Sequence, residues 1–196
     1  MPTVSALRPV GRGRVAVDLD GERWRVVPQE AAHRAGLAHG LELDRERLRL
    51  LRRELRRAEA LDAALGSLRH RDHTRASLAQ RLERRGVPEP ERERAVETVA
   101  RAGLVDDARF AHGRAAALAG RGAGNDLITA DLERHGLARE LVEAALAGLE
   151  PESERALRVI ERRGRSQKTL RFLAGKGFTS ESLDDLIADL GDEAVG

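Results

Sequence analysis

The sequence predicts a mainly α-helical protein in which three tandem three-helix repeats form an elongated, curved array behind a small α+β N-terminal unit. Three observations lead to this prediction. Apolar residues alternate with period two only before residue 44, and after it they recur every three or four residues. One glycine-centred pattern then returns three times. The 196 residues suffice for one sizeable core or two small domains.

Residues 1–43 are predicted to form the α+β unit. Apolar and polar side chains alternate over residues 15–27, on both sides of Asp20-Gly21, a dipeptide typical of a tight hairpin turn. The alternating apolar positions are Val15, Val17, Leu19, Trp24 and Val26. Because a lone hairpin is only marginally stable in water, we expect a short helix over residues 28–35 to cover it.

The helical period begins at Asp44, which is a suitable N-cap. Residues 44–70 are predicted to form one long helix or two helices in line, with leucines on one face and arginines on the others. The leucine stripe is too short for a coiled coil, so we expect it to face the core. No segment after residue 44 has the pattern of a strand.

The internal repeat is centred on Gly86, Gly136 and Gly177. A leucine lies four residues before each glycine, and apolar residues lie one, ten and thirteen residues after it. These positions are Leu82, Leu132 and Leu173; Val87, Leu137 and Phe178; Val96, Leu146 and Ile187; and Val99, Leu149 and Leu190. Such a glycine suits the position just after a helix, where the backbone is left-handed.

Each repeat also has an amphipathic segment before this helix pair, at about residues 57–70, 106–119 and 152–163. The unit is therefore three helices in about 45 residues, and stacked units of this size share one extended core. The predicted domains are the N-terminal unit, the linking helix with repeat 1, repeat 2, and repeat 3, at residues 1–43, 44–104, 105–150 and 151–196.

The adjacent carboxylates Asp106 and Asp107 are the strongest candidates for chemistry. They follow the end of repeat 1 and precede a predicted helix, where aspartate accepts hydrogen bonds from free backbone N–H groups and suits the positive end of the helix dipole. A catalytic pair needs a cleft, and stacked repeats offer none. Both residues are therefore interpreted as helix starters.

Two further segments are interpreted as structural. His70 and His73 lack a third ligand at metal-site spacing, so a solvated turn is favoured over a metal site. The glycine-rich loop 120–126 follows a helix instead of a buried strand, so it is interpreted as an interhelical loop, with the next helix capped by Asn125 or Asp126. Exposed amides at that helix start remain available to an anion. We predict no catalytic residue, no metal and no cofactor.

Composition limits the possible functions. The absence of cysteine excludes disulfides, thiolate metal sites and cysteine nucleophiles. The sequence has neither a signal-peptide pattern nor a long apolar run, so a cytoplasmic protein is expected. Aromatic residues make up 2% of the chain, which disfavours a stacking platform for single-stranded bases.

Arginine is concentrated in three stretches, at residues 45–57, 69–85 and 155–176. Arginines that only solubilise exposed helix faces are one explanation. The other is that the first two helices of repeats 1 and 3 present basic stripes to a polyanion or an acidic protein groove, with repeat 2 as an acidic or neutral centre. The residues predicted to bind a partner or DNA are Arg69, Arg71, Arg75, Arg81, Arg84, Arg85, Arg155, Arg158, Arg162, Arg163, Arg165, Lys168, Arg171 and Lys176.

Residues 103–137, "GLVDDARFAHGRAAALAGRGAGNDLITADLERHGL", resemble the central repeat of the RecX regulatory proteins. Residues 64–86 resemble the first repeat, and the N-terminal "VAVDLDGERWRVVP" resembles the β-containing leader of some members. The resemblance implies a non-enzymatic modulator of the RecA recombinase, which lies in the groove of the RecA–DNA filament and restrains strand exchange, ATP hydrolysis and repressor co-cleavage. We expect the chain to be a monomer. The alternative is a stand-alone DNA-binding helical protein that acts through arginine–phosphate contacts.

Overall fold

The computed structural model describes residues 1–184. Over this range the chain forms one three-stranded antiparallel sheet and nine α-helices, which confirms the predicted mainly α-helical class with a small N-terminal sheet. Contacts divide the chain into two compact units. The first is Met1–Arg71 with Leu78–Leu104, and the second is Asp72–Ser77 with Val105–Gly196. The four-part division at residues 43, 104 and 150 stays a prediction.

The sheet of the first unit contains the predicted hairpin and one further strand. In the order β1-β2-β3, the strands are Val4–Gly11, Arg14–Leu19 and Glu22–Pro28. Asp20 and Gly21 join β2 to β3 with positive φ angles of 51° and 88°, which is the left-handed geometry that a two-residue hairpin turn requires.

Strand β1 is not among the elements predicted from the sequence, and one face of β3 differs from the prediction. Strand β1 contains Pro9, which lacks an N–H and is tolerated here because β1 is an edge strand. The β2–β3 register shifts between Val17 and Asp18. Trp24 is consequently 40% exposed, while Val27 is fully buried, so Trp24 does not share the inward face of Val15 and Val17.

The helices of the first unit are α1 Gln29–Arg34, α2 Arg45–Leu68, α3 Arg75–Glu83, whose first three residues belong to the second unit, and α4 Glu89–Arg101. Helix α2 is one continuous helix, and its N-cap Asp44 accepts the Arg47 N–H at 2.8 Å, as predicted. Leu51 and Leu55 on α2 pack with Val4 of the sheet in one core. The first half of the leucine stripe therefore faces the core, whereas Leu65 further along the helix is 36% exposed.

The helices of the second unit are α5 Asp107–Gly120, α6 Asn125–Arg134, α7 Arg139–Ala147, α8 Glu152–Arg163 and α9 Gln167–Gly175, and a short 3-10 turn follows at Glu181–Leu183. One core forms between α5, α6 and α7 around Ile128 and Leu132. Another forms between α8 and α9 around Ile160, Leu173 and Phe178. The helix pair predicted for repeat 3 extends to Ile187 and Leu190, which lie outside the described residues.

The repeat glycines end their helices as the sequence predicts. Gly86, Gly136 and Gly177 have φ angles of 75°, 73° and 77°. In each case the amide after the glycine donates to the carbonyl of the leucine four residues before it, the hydrogen bond of a Schellman helix end. The three leucines, Leu82, Leu132 and Leu173, are all fully buried.

The second unit contains two junctions of the same design. In the first junction, the Thr74 hydroxyl donates to the His135 carbonyl at 2.6 Å, beside Gly136. In the second, the Gly124 amide donates to the Lys176 carbonyl at 2.8 Å, beside Gly177. The start of one repeat's middle helix thus contacts the glycine corner of the next repeat.

A carboxylate completes each junction. The first residue of α5, Asp107, accepts the N–H of Arg75, the first residue of α3, at 2.8 Å. The first residue of α8, Glu152, accepts the N–H of Asn125, the first residue of α6. Asp106 accepts the Arg109 N–H at 2.9 Å as the N-cap of α5. Asp106 and Asp107 are therefore helix starters, as predicted, and Asp107 serves a second helix as well.

Two structural expectations are wrong. Gly124 is the N-cap of α6, not Asn125 or Asp126, and the amides there are occupied by Glu152 and by the carbonyls of residues 176 and 177. These amides are therefore not available to bind an anion. His73 is also not in a solvated turn, because it is 5% exposed and its Nδ1 lies 3.1 Å from the Ser77 hydroxyl.

Candidate partner-binding groove

The second unit contains an open groove of about 470 Å³ between α8, α9 and the loop after α5. Its lining combines four cations with one aromatic ring, one aliphatic side chain and two glycines. These residues are Gly120, Arg121, Gly122, Val159, Arg162, Arg163, Phe172 and Lys176. The groove is therefore a basic surface with an apolar floor.

Three helix ends supply the cations of the groove. Arg121 is the C-cap of α5, Arg162 and Arg163 lie in the last turn of α8, and Lys176 is the C-cap of α9. A cation at a helix C-terminus is favoured by the negative end of the helix dipole. Helix α8 ends at Gly164, whose φ of 82° is in the left-handed region that favours glycine.

Phe172 lies between two of these cations. The Arg163 guanidinium carbon is 4.0 Å from the centroid of the Phe172 ring, and the Lys176 ammonium is 5.7 Å from it. Both distances are within the range of cation–π attraction. Over residues 1–184, no carboxylate lies within 4.0 Å of the side-chain nitrogens of Arg121, Arg162, Arg163 or Lys176. The positive charge of the groove is therefore not neutralised by the described part of the chain.

The corresponding corner of repeat 2 is neutralised internally. Asp131 is 6% exposed and accepts hydrogen bonds from Arg114 Nε at 2.7 Å and from Arg114 and Arg134 Nη2, each at 3.0 Å. The hydrogen bond from Arg114 lowers the pKa of Asp131, against the opposing effect of burial. The same bond raises the pKa of Arg114. Two guanidinium groups share this one carboxylate, so most of the charge at the corner is compensated within repeat 2, and the acidic or neutral character of repeat 2 as a whole stays a prediction.

Arg155 belongs to the predicted binding set, but its position in the fold is internal. It is 7% exposed, and its guanidinium donates to the Glu150 carbonyl at 3.1 Å, to the Ala123 carbonyl at 2.8 Å and to the Asn125 side chain. Burial lowers the pKa of Arg155. Because its donors hold the second junction together, we exclude it from the binding surface.

Arg158 is exposed but already paired. Both of its terminal nitrogens bind the Glu150 carboxylate, and this contact raises the pKa of Arg158 and lowers that of Glu150. Arg165, Lys168 and Arg171 are exposed between the end of α8 and the middle of α9. Of the predicted residues in the second unit, only Arg162, Arg163 and Lys176 are brought together in the groove.

The predicted arginines of residues 69–85 are all exposed. Arg75 belongs to the second unit, and the other five, Arg69, Arg71, Arg81, Arg84 and Arg85, belong to the first. None of them lines the groove of about 700 Å³ in the first unit, which carries both charges and includes Glu54, Arg57 and Glu91. All six are exposed and lie outside both of these grooves.

Arg121 is the groove residue that the sequence analysis missed. It stands alone within "GRGAG", outside the arginine-rich stretches. A single arginine in a glycine-rich loop gives no signal of its own, because the helix ends that surround it come from residues about 40 positions later in the chain.

Comparison with known proteins decides the family. A family model described as "RecX, first three-helix domain" matches residues 60–98. The regulatory protein RecX of Stenotrophomonas maltophilia strain R551-3 is 32% identical over 142 residues, which cover 67% of this chain and 87% of that protein. The chain belongs to the RecX family. A second RecX regulatory protein, from Xanthomonas campestris pv. campestris strain B100, is 33% identical over 141 residues, with the same coverage of 67% and 87%.

Solved RecX structures have the same fold. A crystal structure of regulatory protein RecX superimposes with a TM-score of 0.79 at 21% identity and covers 96% of this chain and 100% of that one. RecX from Lactobacillus salivarius gives a TM-score of 0.60 at 19% identity, covering 69% of this chain and 97% of that one. The RecX resemblance and the repeat architecture inferred from the sequence are thus confirmed.

The described residues contain neither a membrane-spanning helix nor a cluster of metal-binding side chains. Within residues 1–184, no helix combines the length and apolarity needed to cross a bilayer. The same part of the chain holds no group of three or more histidine, aspartate or glutamate side chains arranged to bind a metal ion.

Proposed function

We propose that this RecX-family chain is a non-enzymatic cytoplasmic regulator that binds the RecA–DNA filament, in the filament groove, and lowers its recombinase, ATPase and co-protease activities. The relatives at about a third identity are regulatory proteins, which supports the regulatory part of the proposal. The RecA filament as target rests on the RecX resemblance of the repeats. The chain acts in this proposal as a monomer.

The basic groove of the second unit is the observation that carries the proposal. Its guanidinium groups have no carboxylate partner among the described residues, so they are free to bind carboxylates or phosphates from outside. Arginine's planar fork matches both anions with two parallel hydrogen bonds. A nucleoprotein filament presents phosphates on its DNA and carboxylates on its protein subunits.

Exposed arginines outside the groove support binding at several points. Five lie in the first unit, at residues 69, 71, 81, 84 and 85. A regulator that touches successive subunits of a polymer gains affinity because each later contact is intramolecular. The individual contacts can therefore be weak, as exposed ion pairs usually are.

An ATPase titration tests both the function and the groove. The full chain is added to RecA filaments on single-stranded DNA, and ATP hydrolysis is measured at substoichiometric to excess ratios. We expect the wild-type chain to slow hydrolysis. The variant Arg162→Glu/Arg163→Glu should need a roughly tenfold higher concentration, since two charged contacts at about 0.7 kcal/mol each are lost.

The matched control is Arg94→Glu/Arg139→Glu, which reverses the same amount of charge at exposed positions outside the groove. It should inhibit like the wild type. If the wild-type chain leaves RecA hydrolysis and strand exchange unchanged, the proposed function is wrong. If both double variants lose inhibition equally, the regulatory function is still supported, but the groove is not the surface that contacts the filament.

The alternative function, a stand-alone DNA-binding protein, uses the same kind of residue. It predicts tight binding to naked DNA that falls steeply with salt, together with no effect on RecA when DNA is in excess. The arginines of helix α2 in the first unit favour a contact with DNA, and their arrangement leads to a separate inference.

A further inference from the structure

Helix α2 carries a row of arginines that neither the groove nor the predicted binding set contains. Arg45, Arg49, Arg52 and Arg56 are spaced by four, three and four residues. At 100° per residue they lie within an arc of about 60° on one face of the helix. All four are exposed. We call them the α2 arginine face.

The core fixes the direction of this face. Leu51 and Leu55, on another side of α2, are 1% and 4% exposed and pack against the sheet. A helix held by its apolar side cannot rotate to hide its arginines. The α2 arginine face is therefore a rigid feature of the first unit.

The charge of the face is largely unbalanced. Over the described residues, no carboxylate lies within 4.0 Å of the side-chain nitrogens of Arg45, Arg49 or Arg52. Arg56 is half exposed, and its Nε lies 3.3 Å from the buried Glu91 carboxylate. The first three arginines of the face therefore have no carboxylate partner among the described residues, and Arg56 is paired with Glu91.

Neighbouring arginines of the first unit contrast with the face. Arg57, one residue further along α2, binds Glu54, and Arg25 on β3 binds Glu59 of α2 at 3.1 Å. Carboxylates are therefore available on and around this helix: Glu54 lies on the opposite side, and Glu59, one turn beyond Arg56, pairs with Arg25 of β3 instead of with the face. The contrast points to an external anion for the α2 arginine face.

The spacing of the face fits a polyphosphate chain. From Arg45 to Arg56 the helix rises about 17 Å, which is the axial rise of about five nucleotides in one strand of DNA. The four positions include no aromatic, amide or aliphatic residue. Protein–protein hot spots combine arginine with buried aromatic anchors, whereas phosphate contacts need only cations.

We propose that the α2 arginine face binds the phosphodiester backbone of nucleic acid, independently of base sequence. The arginines contact phosphate oxygens, and no side chain of the face reads base edges. This inference goes beyond the proposed regulation of RecA, because it requires only naked nucleic acid. It also assigns the first unit a binding surface separate from the groove of the second.

The test measures binding of the full chain to a fluorescently labelled 30-nucleotide single strand and to the duplex of the same sequence, over a series of salt concentrations. The variant Arg45→Gln/Arg49→Gln/Arg52→Gln keeps helix-forming residues at all three positions. Its slope of log affinity against log salt should be shallower by about 2 to 3, and its affinity at low salt should fall more than tenfold. Whichever probe loses more affinity identifies the strand form that the face prefers.

The control variant Arg23→Gln/Arg34→Gln/Arg101→Gln removes the same charge from exposed positions of the first unit outside the face. It should keep the wild-type slope. The proposal is overturned if the wild-type chain binds neither probe, or if the face variant keeps wild-type affinity and slope. It is also overturned if that variant binds DNA normally but no longer inhibits RecA, because the face would then contact protein.

The outcome separates this inference from the proposed function. Wild-type binding that depends on the α2 arginine face, without any effect on the RecA ATPase, supports the inference and contradicts the RecA proposal. Inhibition of RecA by a chain that binds neither naked probe does the reverse.

Discussion

Repeats 2 and 3 share one backbone frame but differ in what they present at the same corner. Aligned on their glycines, Asp131 of repeat 2 corresponds to Phe172 of repeat 3, and His135 corresponds to Lys176. Aligned on their first helices, Arg114 corresponds to Val159. An ion pair fills the corner of repeat 2, whereas repeat 3 has an aromatic-floored basic groove there.

The difference teaches that the repeat frame and the binding surface are specified by separate residues. Glycine corners, buried leucines and the carboxylates of the junctions set the backbone in both repeats. Two or three other positions then determine whether the side chains at this corner form ion pairs with one another or stay exposed to a partner. The predictions below test the shared frame first and then the differences.

The largest effect is expected from adding a methyl group at Gly177. A Cβ there would lie 2.6 Å from the Leu127 backbone nitrogen, at a φ of +77°. Both the clash and the left-handed backbone disfavour alanine, so Gly177→Ala should lower the free energy of unfolding by about 3 kcal/mol or more. Gly86→Ala has the same backbone conformation with open space, and should cost about 1 kcal/mol. Urea unfolding of both variants gives the comparison.

The first junction allows a rescue that the second does not. A Cβ at Gly136 would lie 2.5 Å from the Ala76 Cβ, a side-chain atom that can be removed. Gly136→Ala should therefore be partly rescued by Ala76→Gly, with a coupling energy of about 1 kcal/mol in a double-mutant cycle. Equal stability of Gly177→Ala and Gly86→Ala, or no coupling between positions 76 and 136, would contradict the tight junctions.

A smaller effect is expected from Asp131→Asn, which removes the charge that closes the corner of repeat 2. Hydrogen bonds to charged groups contribute about 1.5–3 kcal/mol, so the variant should lose about 2 kcal/mol of unfolding free energy at neutral pH. The folded-state pKa of Asp131 is lowered, so ionisation stabilises the fold above the unfolded-state pKa of about 3.9. This contribution is lost as pH falls through the lower, folded-state pKa.

The stability gap between wild type and Asp131→Asn should therefore be full above about pH 5 and should close below about pH 4. Urea midpoints across this range measure it. Glu143→Gln is the matched control, because Glu143 pairs with Arg139 on the exposed surface, where solvent screens the pair and its loss should leave the unfolding free energy almost unchanged. A gap at Asp131 that does not change with pH would show that the ion pair is not its source.

Local patterns explain what could be predicted from the sequence. The caps Asp44 and Asp106 and the glycine helix ends depend on hydrogen bonds within about six residues, so spacing alone locates them. Strand β1 was missed because an edge strand with Pro9 lacks a clear alternating pattern. The buried position of His73 was missed because the adjacent Thr74 is bonded to His135, about 60 positions away in the chain, which no local pattern reveals.

The groove was only partly predictable for the same reason. The density of basic residues along the sequence identifies Arg162, Arg163 and Lys176 as binding candidates, but it does not distinguish them from the buried Arg155. Arg155 is buried because Asn125 and the loop before it lie over that side of α8, which no local pattern reveals. Arg121 reaches the groove from the preceding repeat, so only the stacking of repeats makes it a site residue.

The smallest effect is expected at the junction carboxylates. The Glu152 carboxylate accepts from the amides of Asn125 and Thr179 and from the Thr179 hydroxyl, whereas Asp107 accepts the Arg75 amide across its junction. Each amide variant retains one oxygen acceptor and turns an NH2 group toward a donor. Glu152→Gln should therefore cost about 1–1.5 kcal/mol and Asp107→Asn about 0.5 kcal/mol, because Glu152 is also the more buried residue.

Hydrogen exchange of the Asn125 and Arg75 amides reports each junction separately. Of these two amides, Glu152→Gln should speed exchange at Asn125 alone. Faster exchange at both amides in either variant would show that the two junctions open together rather than independently.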